Sequence, residues 1–172
     1  MRTELLCGCG ARRDKRMSSP LHTEWTNLVT LDLNPDAKPD IIWDLEKLPL
    51  PFQTENFDEV HAYEVLEHTG AQGDWRFFFA QFSEFYRILK ADGLLFATVP
   101  AWTGVWAWGD PGHRRVINEG TLVFLSQREY REQVGVTPMT DFRHWYKADF
   151  ETVAHVMDET NYTFKFILKA LK

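Results

Sequence analysis

LVTLDLNPDAKPDIIWDLEKLPLPFQTENFDEVHAYEVLEH, residues 28–68, decides how this chain is read. It holds three short apolar runs, Leu28 to Leu33, Ile41 to Trp43 and Phe57 to Ala62, each ending at or beside a carboxylate or a loop. Short apolar runs bounded by turn residues predict buried strands. Ligands of open α/β sheets bind outside the carboxyl ends of the strands, so Asp32, Asp44 and the segment Tyr63 to His68 are the expected contact residues. Asp32, with Leu33 beside it, offers two acceptor oxygens to the paired 2′ and 3′ hydroxyls of a ribose. Asp44 is placed to accept from the exocyclic amine of an adenine while the backbone amide of Leu45 faces a ring nitrogen. Either carboxylate alone is equally well explained as a turn residue, since Asp is favoured there. Both together, downstream of a Gly-x-Gly, point to a nucleoside.

Working outward, Thr3 to Cys7 predicts a first strand that runs into Gly8-Cys9-Gly10. Two glycines one residue apart let the backbone turn sharply and approach a ligand closely. Asp32 follows at about the 20-residue spacing of the acidic partner in nucleotide folds. The third glycine that packs helix on strand around a pyrophosphate is missing, and Ala11-Arg12-Arg13 stands there instead, which weighs against a nicotinamide or flavin site. Residues 11–27 carry a proline and little helical periodicity, and Asn34 to Pro39 is a two-proline linker, so the first two crossovers are expected to be short or irregular. The basic residues Arg12, Arg13, Lys15 and Arg16 are expected on solvated surface, with a phosphate-bearing substrate as the sharper alternative.

Asp44-Leu45-Glu46-Lys47-Leu48-Pro49-Leu50-Pro51-Phe52, Asn56-Phe57-Asp58-Glu59-Val60, Glu64-Val65-Leu66-Glu67-His68 and Phe85-Tyr86-Arg87-Ile88-Leu89-Lys90-Ala91-Asp92-Gly93-Leu94-Leu95 occur in that order. Together they resemble the class I S-adenosylmethionine (SAM)-dependent methyltransferases, most closely the small type 11 group, over roughly residues 4 to 101. The sequence departs from that pattern in lacking an acid before Gly8 and in having Asp92 where the family usually has Gly. The resemblance implies SAM as methyl donor and S-adenosylhomocysteine as product. It implies that Gly8, Cys9, Gly10, Asp32, Leu33, Asp44 and Leu45 hold the adenosine, with Tyr63 and Glu64 beside the methionine part. Asp110-Pro111-Gly112-His113-Arg114 is similar to a D-P-x-H-x-R stretch that lies near the acceptor in the family, making His113 and Arg114 substrate-side candidates. His68, whose ordinary pKa is near neutral, is a candidate proton acceptor alongside His113. Trp102 and Trp106, with Trp108, are candidates for an aromatic wall against a flat or cationic substrate.

Elsewhere the pattern predicts a helix over Asp74 to Lys90 with Asp74 as cap, a strand over Leu94 to Val99 and a helix over Thr121 to Val134. It further predicts an extended piece over Phe142 to Tyr146, a helix over Asp149 to Asp158 and a final strand over Tyr162 to Leu171. The expected fold is α/β and Rossmann-like: a mostly parallel twisted sheet with helices on both faces, shortened first crossovers and a reduced C-terminal strand pair.

The 172 residues, 44% of them hydrophobic, suit one domain spanning 1–172. A formal charge of −6 argues against a dedicated nucleic-acid binder and favours a small-molecule acceptor. No apolar run reaches the roughly 18 residues of a membrane span, and no signal segment opens the sequence, so the protein reads as cytoplasmic. Cys7 and Cys9 read as small residues at a crowded strand end. The six histidines form no His-x-x-x-His pair on a plausible helix, and no metal site is expected. The resulting expectation is a SAM-dependent methyltransferase. The alternatives are a nucleoside-binding domain without turnover and a NAD-type oxidoreductase; an amino-directed DNA methyltransferase is disfavoured by Tyr63-Glu64-Val65-Leu66 after the fourth strand.

Overall fold

The computed structural model describes residues 2–172. Five strands run parallel, β1 (Glu4–Cys7), β2 (Leu28–Asp32), β3 (Ile41–Ile42), β4 (Phe57–Tyr63) and β5 (Leu89–Pro100). Two more, β6 (Phe150–Asp158) and β7 (Thr163–Ala170), complete a seven-stranded sheet in the order β3-β2-β1-β4-β5-β7-β6, with β7 antiparallel to both neighbours. The order reverses between β1 and β4, which opens a crevice at the carboxyl ends of the central strands.

Period-two alternation sorts the side chains between two faces. Leu5 and Cys7 of β1, Val60 and Ala62 of β4, Leu95, Ala97 and Val99 of β5, and Phe164, Phe166 and Leu168 of β7 share the main core. The helix α1 (Trp75–Ile88) lays Phe79, Phe82, Phe85 and Ile88 on this face at helical spacing. Asp74 caps it by accepting from the Phe77 amide at 3.1 Å. Leu122 and Tyr130, from α3 (Glu119–Val123) and α4 (Gln127–Gln133), join the same core. Leu6, Cys9, Tyr63 and Phe96 point the other way, where Met17 and Trp25 of the irregular 11–27 segment cover them. Among the described residues no helix contributes to that second cluster; where helices are expected on both faces, α1, α3 and α4 all pack on one.

The first two crossovers are short, as the prolines predict: no helix links β1 to β2, and a single 3₁₀ turn at Pro35–Ala37 links β2 to β3. The C-terminal strand pair is not reduced. Asp149 to Asp158, expected as a helix, is almost entirely β6, paired along its length with β7. Its β-branched Thr152, Val153 and Val156 suit a pleated edge, and Asp158 closes the hairpin by accepting from the Asn161 amide at 3.1 Å. Phe142 to Tyr146 forms a turn and not an extended piece, since the amides of Trp145 and Tyr146 both reach the Phe142 carbonyl. The predicted Thr121–Val134 helix is split into α3 and α4 by Ser126, which caps the second. β5 starts at Leu89, five residues ahead of its predicted start, and passes through Asp92 at φ 60. No helix of the described residues is long and apolar enough to cross a membrane.

Candidate functional site

At the carboxyl ends of β1 to β3 lies a hollow of about 300 Å³, lined in part by Gly8, Asp32, Leu33, Asp44, Leu45 and His68. That is at the lower end of the range for small-molecule sites. A larger cavity of about 490 Å³ touches α3, α4 and β6, but it lies away from these strand ends and gathers none of the predicted residues. Gly8 has φ +61, and a Cβ there would stand 2.4 Å from Val65 Cγ2, so only glycine fits. Asp32 is held by two amides: Gly10 N–H donates to Oδ2 and Asn34 N–H to Oδ1, each at 2.8 Å. Each oxygen retains acceptor capacity toward the hollow. Asp44 Oδ1 accepts from the Glu46 amide at 2.8 Å, fixing the loop that buries Leu45. Glu46 Oε1 in turn accepts from Gly70 N–H at 2.6 Å and pairs with Arg114 at 2.7 Å.

Beyond His68 the rim carries an acid–histidine cluster. Glu67, His68 and His113 offer ligand atoms that all lie within 4.8 Å of one another. The Nε2 atoms of His68 and His113 each stand 4.0 Å from Glu67 Oε1, and the two rings meet edge to face at 4.7 Å. His68 Nδ1 bonds the Gly112 carbonyl at 3.0 Å and His113 Nδ1 the Trp106 carbonyl at 2.7 Å. A carbonyl only accepts, so both Nδ1 atoms carry hydrogen and both Nε2 lone pairs are free when the rings are neutral. Glu67 is 2% exposed and its Oε2 has no hydrogen-bond partner. Burial pushes its carboxyl up to about 8, with Glu64 and Asp110 adding to the rise and Arg115 opposing it.

A family model described as a methyltransferase domain matches residues 5–97, more than half of the chain. The chain belongs to the class I SAM-dependent methyltransferases. Solved methyltransferase structures share the fold. A SAM-dependent methyltransferase from Archaeoglobus fulgidus aligns with TM-score 0.58 at 16% identity, covering 98% of this chain and 86% of that one. The N-methyltransferase NodS from Bradyrhizobium japonicum WM9 in complex with S-adenosyl-L-homocysteine aligns at 0.60 and 14% identity, covering 99% and 79%. A putative methyltransferase from Haloferax volcanii in complex with its Trm112 activator aligns at 0.61 and 14%, covering 99% and 83%. No curated protein matches the sequence. Membership sets aside the NAD-type oxidoreductase.

In this methyltransferase domain the other expected site residues occupy varied places. Gly10 reaches the hollow through Asp32. Cys9 is buried in the cluster on the second face. The Tyr63 side chain is directed to that face too, its hydroxyl 2.6 Å from His61 Nδ1, because residues 59, 61 and 63 alternate onto it. Glu64 sits at φ 52 with its amide on the Thr98 carbonyl, near enough to Glu67 to act on its charge. Trp102, Trp106 and Trp108 are 41%, 63% and 69% exposed around the short helix α2 (Val105–Gly109), so they do not cover the core. Of the basic cluster, Arg13 donates to the carbonyls of Gly10 and Ala37 at 2.6 and 2.8 Å, and Lys15 is buried, so these two are not solvated surface. Glu67, Glu46 and Arg115 are residues of this rim that the sequence does not single out. Arg115 is buried and donates to Leu66 O at 2.9 Å, Thr69 Oγ1 at 3.0 Å and Gln81 Oε1, holding the cluster's loop. Its place directly after His113-Arg114 was the available signal.

Proposed function

We propose that the chain binds SAM in the hollow and catalyses methyl transfer to a small-molecule acceptor. The observation that carries this reading is the convergence of Asp32, Asp44 and Gly8 on one cavity, with Asp32 already oriented by two amides. Asp32 takes the ribose hydroxyls and Asp44 with Leu45 the adenine edge, while Leu33 and Leu45 flank the base. Gly8 and Gly10 supply the close backbone approach, and Glu64 lies toward the methionine end. The donor supplies an activated methyl on a sulfonium, displaced in line. The protein's part is to align the acceptor and exclude water. Trp102, Trp106 and Arg114 form the acceptor side, with Arg114 held at the rim by Glu46. His68 and His113 are the groups available to take a proton where the acceptor carries one at attack. A sheet that spans residues 4–170 supports a single domain, and the free thiols Cys7 and Cys9 suit a cytoplasmic protein.

Titration calorimetry with SAM and S-adenosylhomocysteine tests this directly. Both are expected to bind, and absence of binding below millimolar for both overturns the proposal. Asp32→Ala is expected to weaken binding by about 1.5 to 3 kcal/mol, with circular dichroism checking that the Gly10 and Asn34 loops survive. The helix-free first crossover favours one second reading, binding without turnover. It is separated by S-adenosylhomocysteine release: a chain that binds SAM yet releases none across an acceptor panel is a binding domain.

A further inference from the structure

The acid–histidine cluster has the makings of a metal centre that neither histidine's sequence context announces. Both imidazoles are fixed by Nδ1–H bonds to backbone carbonyls, the arrangement that orients metal-binding histidines and leaves Nε2 to the ion. Both Nε2 atoms lie the same 4.0 Å from one carboxylate oxygen. That carboxylate is buried, and its second oxygen has no partner, a cost that a proton or a bound cation relieves. Tetrahedral bonds of about 2.1 Å place ligand atoms ~3.4 Å apart. The two acid–histidine spans exceed that by roughly 0.6 Å, and all three ligand atoms lie within 4.8 Å of one another. Closing the site therefore takes small rotations of the 44% exposed His68 side chain and of the Glu67 carboxylate between the rings. Asp110 Oδ2, 3.8 Å from His113 Nε2, adds a further oxygen at the same rim.

We propose that Glu67, His68 and His113 bind one divalent first-row transition metal ion at the edge of the hollow. Two imidazole nitrogens and one carboxylate select zinc, cobalt or iron over magnesium and calcium, which prefer all-oxygen sites. Three protein ligands leave coordination positions open, the pattern of sites that take water or substrate. His68 lines the hollow, so an open position there is available to an acceptor oxygen, whose proton the ion would make more acidic. That last step rests on the methyl-transfer reading and replaces direct proton uptake by His68 and His113, whose Nε2 lone pairs the ion occupies; the metal site itself stands apart from that reading.

The test uses the full chain and the metal alone. Zinc calorimetry and the visible absorption of added cobalt are expected to show one ion per chain, bound in the micromolar range or tighter. Binding is expected to weaken by about tenfold or more in His68→Ala, His113→Ala and the near-isosteric Glu67→Gln. It is expected to stay unchanged in His155→Ala, a surface histidine on β6. Absence of binding tighter than millimolar in the folded wild type, or wild-type affinity in both histidine variants, overturns the proposal. S-adenosylhomocysteine calorimetry on the same samples separates the two readings, since the metal arm can succeed where the nucleoside arm fails and the reverse.

Discussion

The two faces of the sheet are held by different physics. One carries α1, α3 and α4 on an apolar core that includes Phe79, Phe82, Phe85 and Leu122. The other has no helix among the described residues and is closed by the irregular 11–27 arm through buried charge. Lys15 Nζ, on a side chain 2% exposed, stands 2.6 Å from Glu4 and 2.8 Å from Glu59. Arg2 reaches Glu59 at 2.6 Å, and His61 Nε2 does so at 3.0 Å. Trp25 stands edge-on to His61, which stacks on Phe96 at 4.7 Å. A helix buries its own backbone polar groups and so can cover a sheet with apolar side chains alone. An irregular arm cannot, and here specific polar contacts take over: Glu4 Oε2 accepts the Thr26 amide at 2.7 Å and Tyr63 OH accepts the Met17 amide at 3.1 Å. Coverage without a helix is therefore tied to the ionisation of a few groups.

Removing the Lys15 cation from the second face is the strongest way to break that contrast. Lys15→Met leaves Glu4 and Glu59 buried with their shared partner gone, and about 3 to 5 kcal/mol of stability should be lost in urea unfolding. A loss under about 1 kcal/mol would place the arm's stability in its apolar contacts instead.

Acid should also reach the second face first. Burial holds the His61 imidazole below its ordinary 6.5 despite the pull of Glu59. The unfolded chain therefore takes up a proton there that the folded chain declines, and stability falls as pH drops below about 6.5. Burial would raise the Glu59 carboxyl above its ordinary 4.5, but hydrogen bonds from His61, Lys15 and Arg2 outweigh it and hold it well below the usual range. Its contribution is present above about 4.5 and is lost as pH falls toward the folded value. Both signs agree on this face, while Glu67, pushed up to about 8, works the other way because the folded chain takes up a proton there as pH falls. The second face is therefore read from the difference, and between about pH 7 and pH 5 the Tm of the wild type should fall relative to that of His61→Gln. An identical slope in the variant would remove His61 from the account.

The smallest effect sharpens the comparison. Arg12 belongs to the same basic stretch as Lys15, yet it pairs with Asp14 in the open, the two side chains being 73% and 61% exposed. Arg12→Ala should change stability by less than about 0.5 kcal/mol in the same denaturant titration.

Much of the fold was legible because its signals are local. Short apolar runs located β1 to β4, helical spacing and a capping Asp located α1, and prolines announced the shortened crossovers. Asp32, Asp44 and Gly8 stand out because carboxylates and glycines at strand ends are local features as well, and all three line one cavity. The misreadings came where local pattern is ambiguous. Asp149 to Asp158 was expected as a helix because its apolar residues fit more than one period, and it becomes β6 because β7 offers an edge to pair with. Tyr63 was placed at the cofactor by its position at a strand end, while alternation turns its side chain to the second face.

The amino-acid order alone determined the strand succession, the family and the acids that face the proposed nucleoside, since each depends on neighbours a few residues apart. Which charges are buried, and which histidines meet, was decided only in three dimensions. Lys15 and Arg12 look alike until β1 and β4 bring Glu4 and Glu59 to one of them. Glu67 and His68 acquire His113 only because the loop after β5 folds back along the strand ends, bonding the Arg114 amide to the Glu67 carbonyl at 2.8 Å. Pairing energies between charges depend on distance and solvent exclusion, and neither quantity exists before the chain has folded.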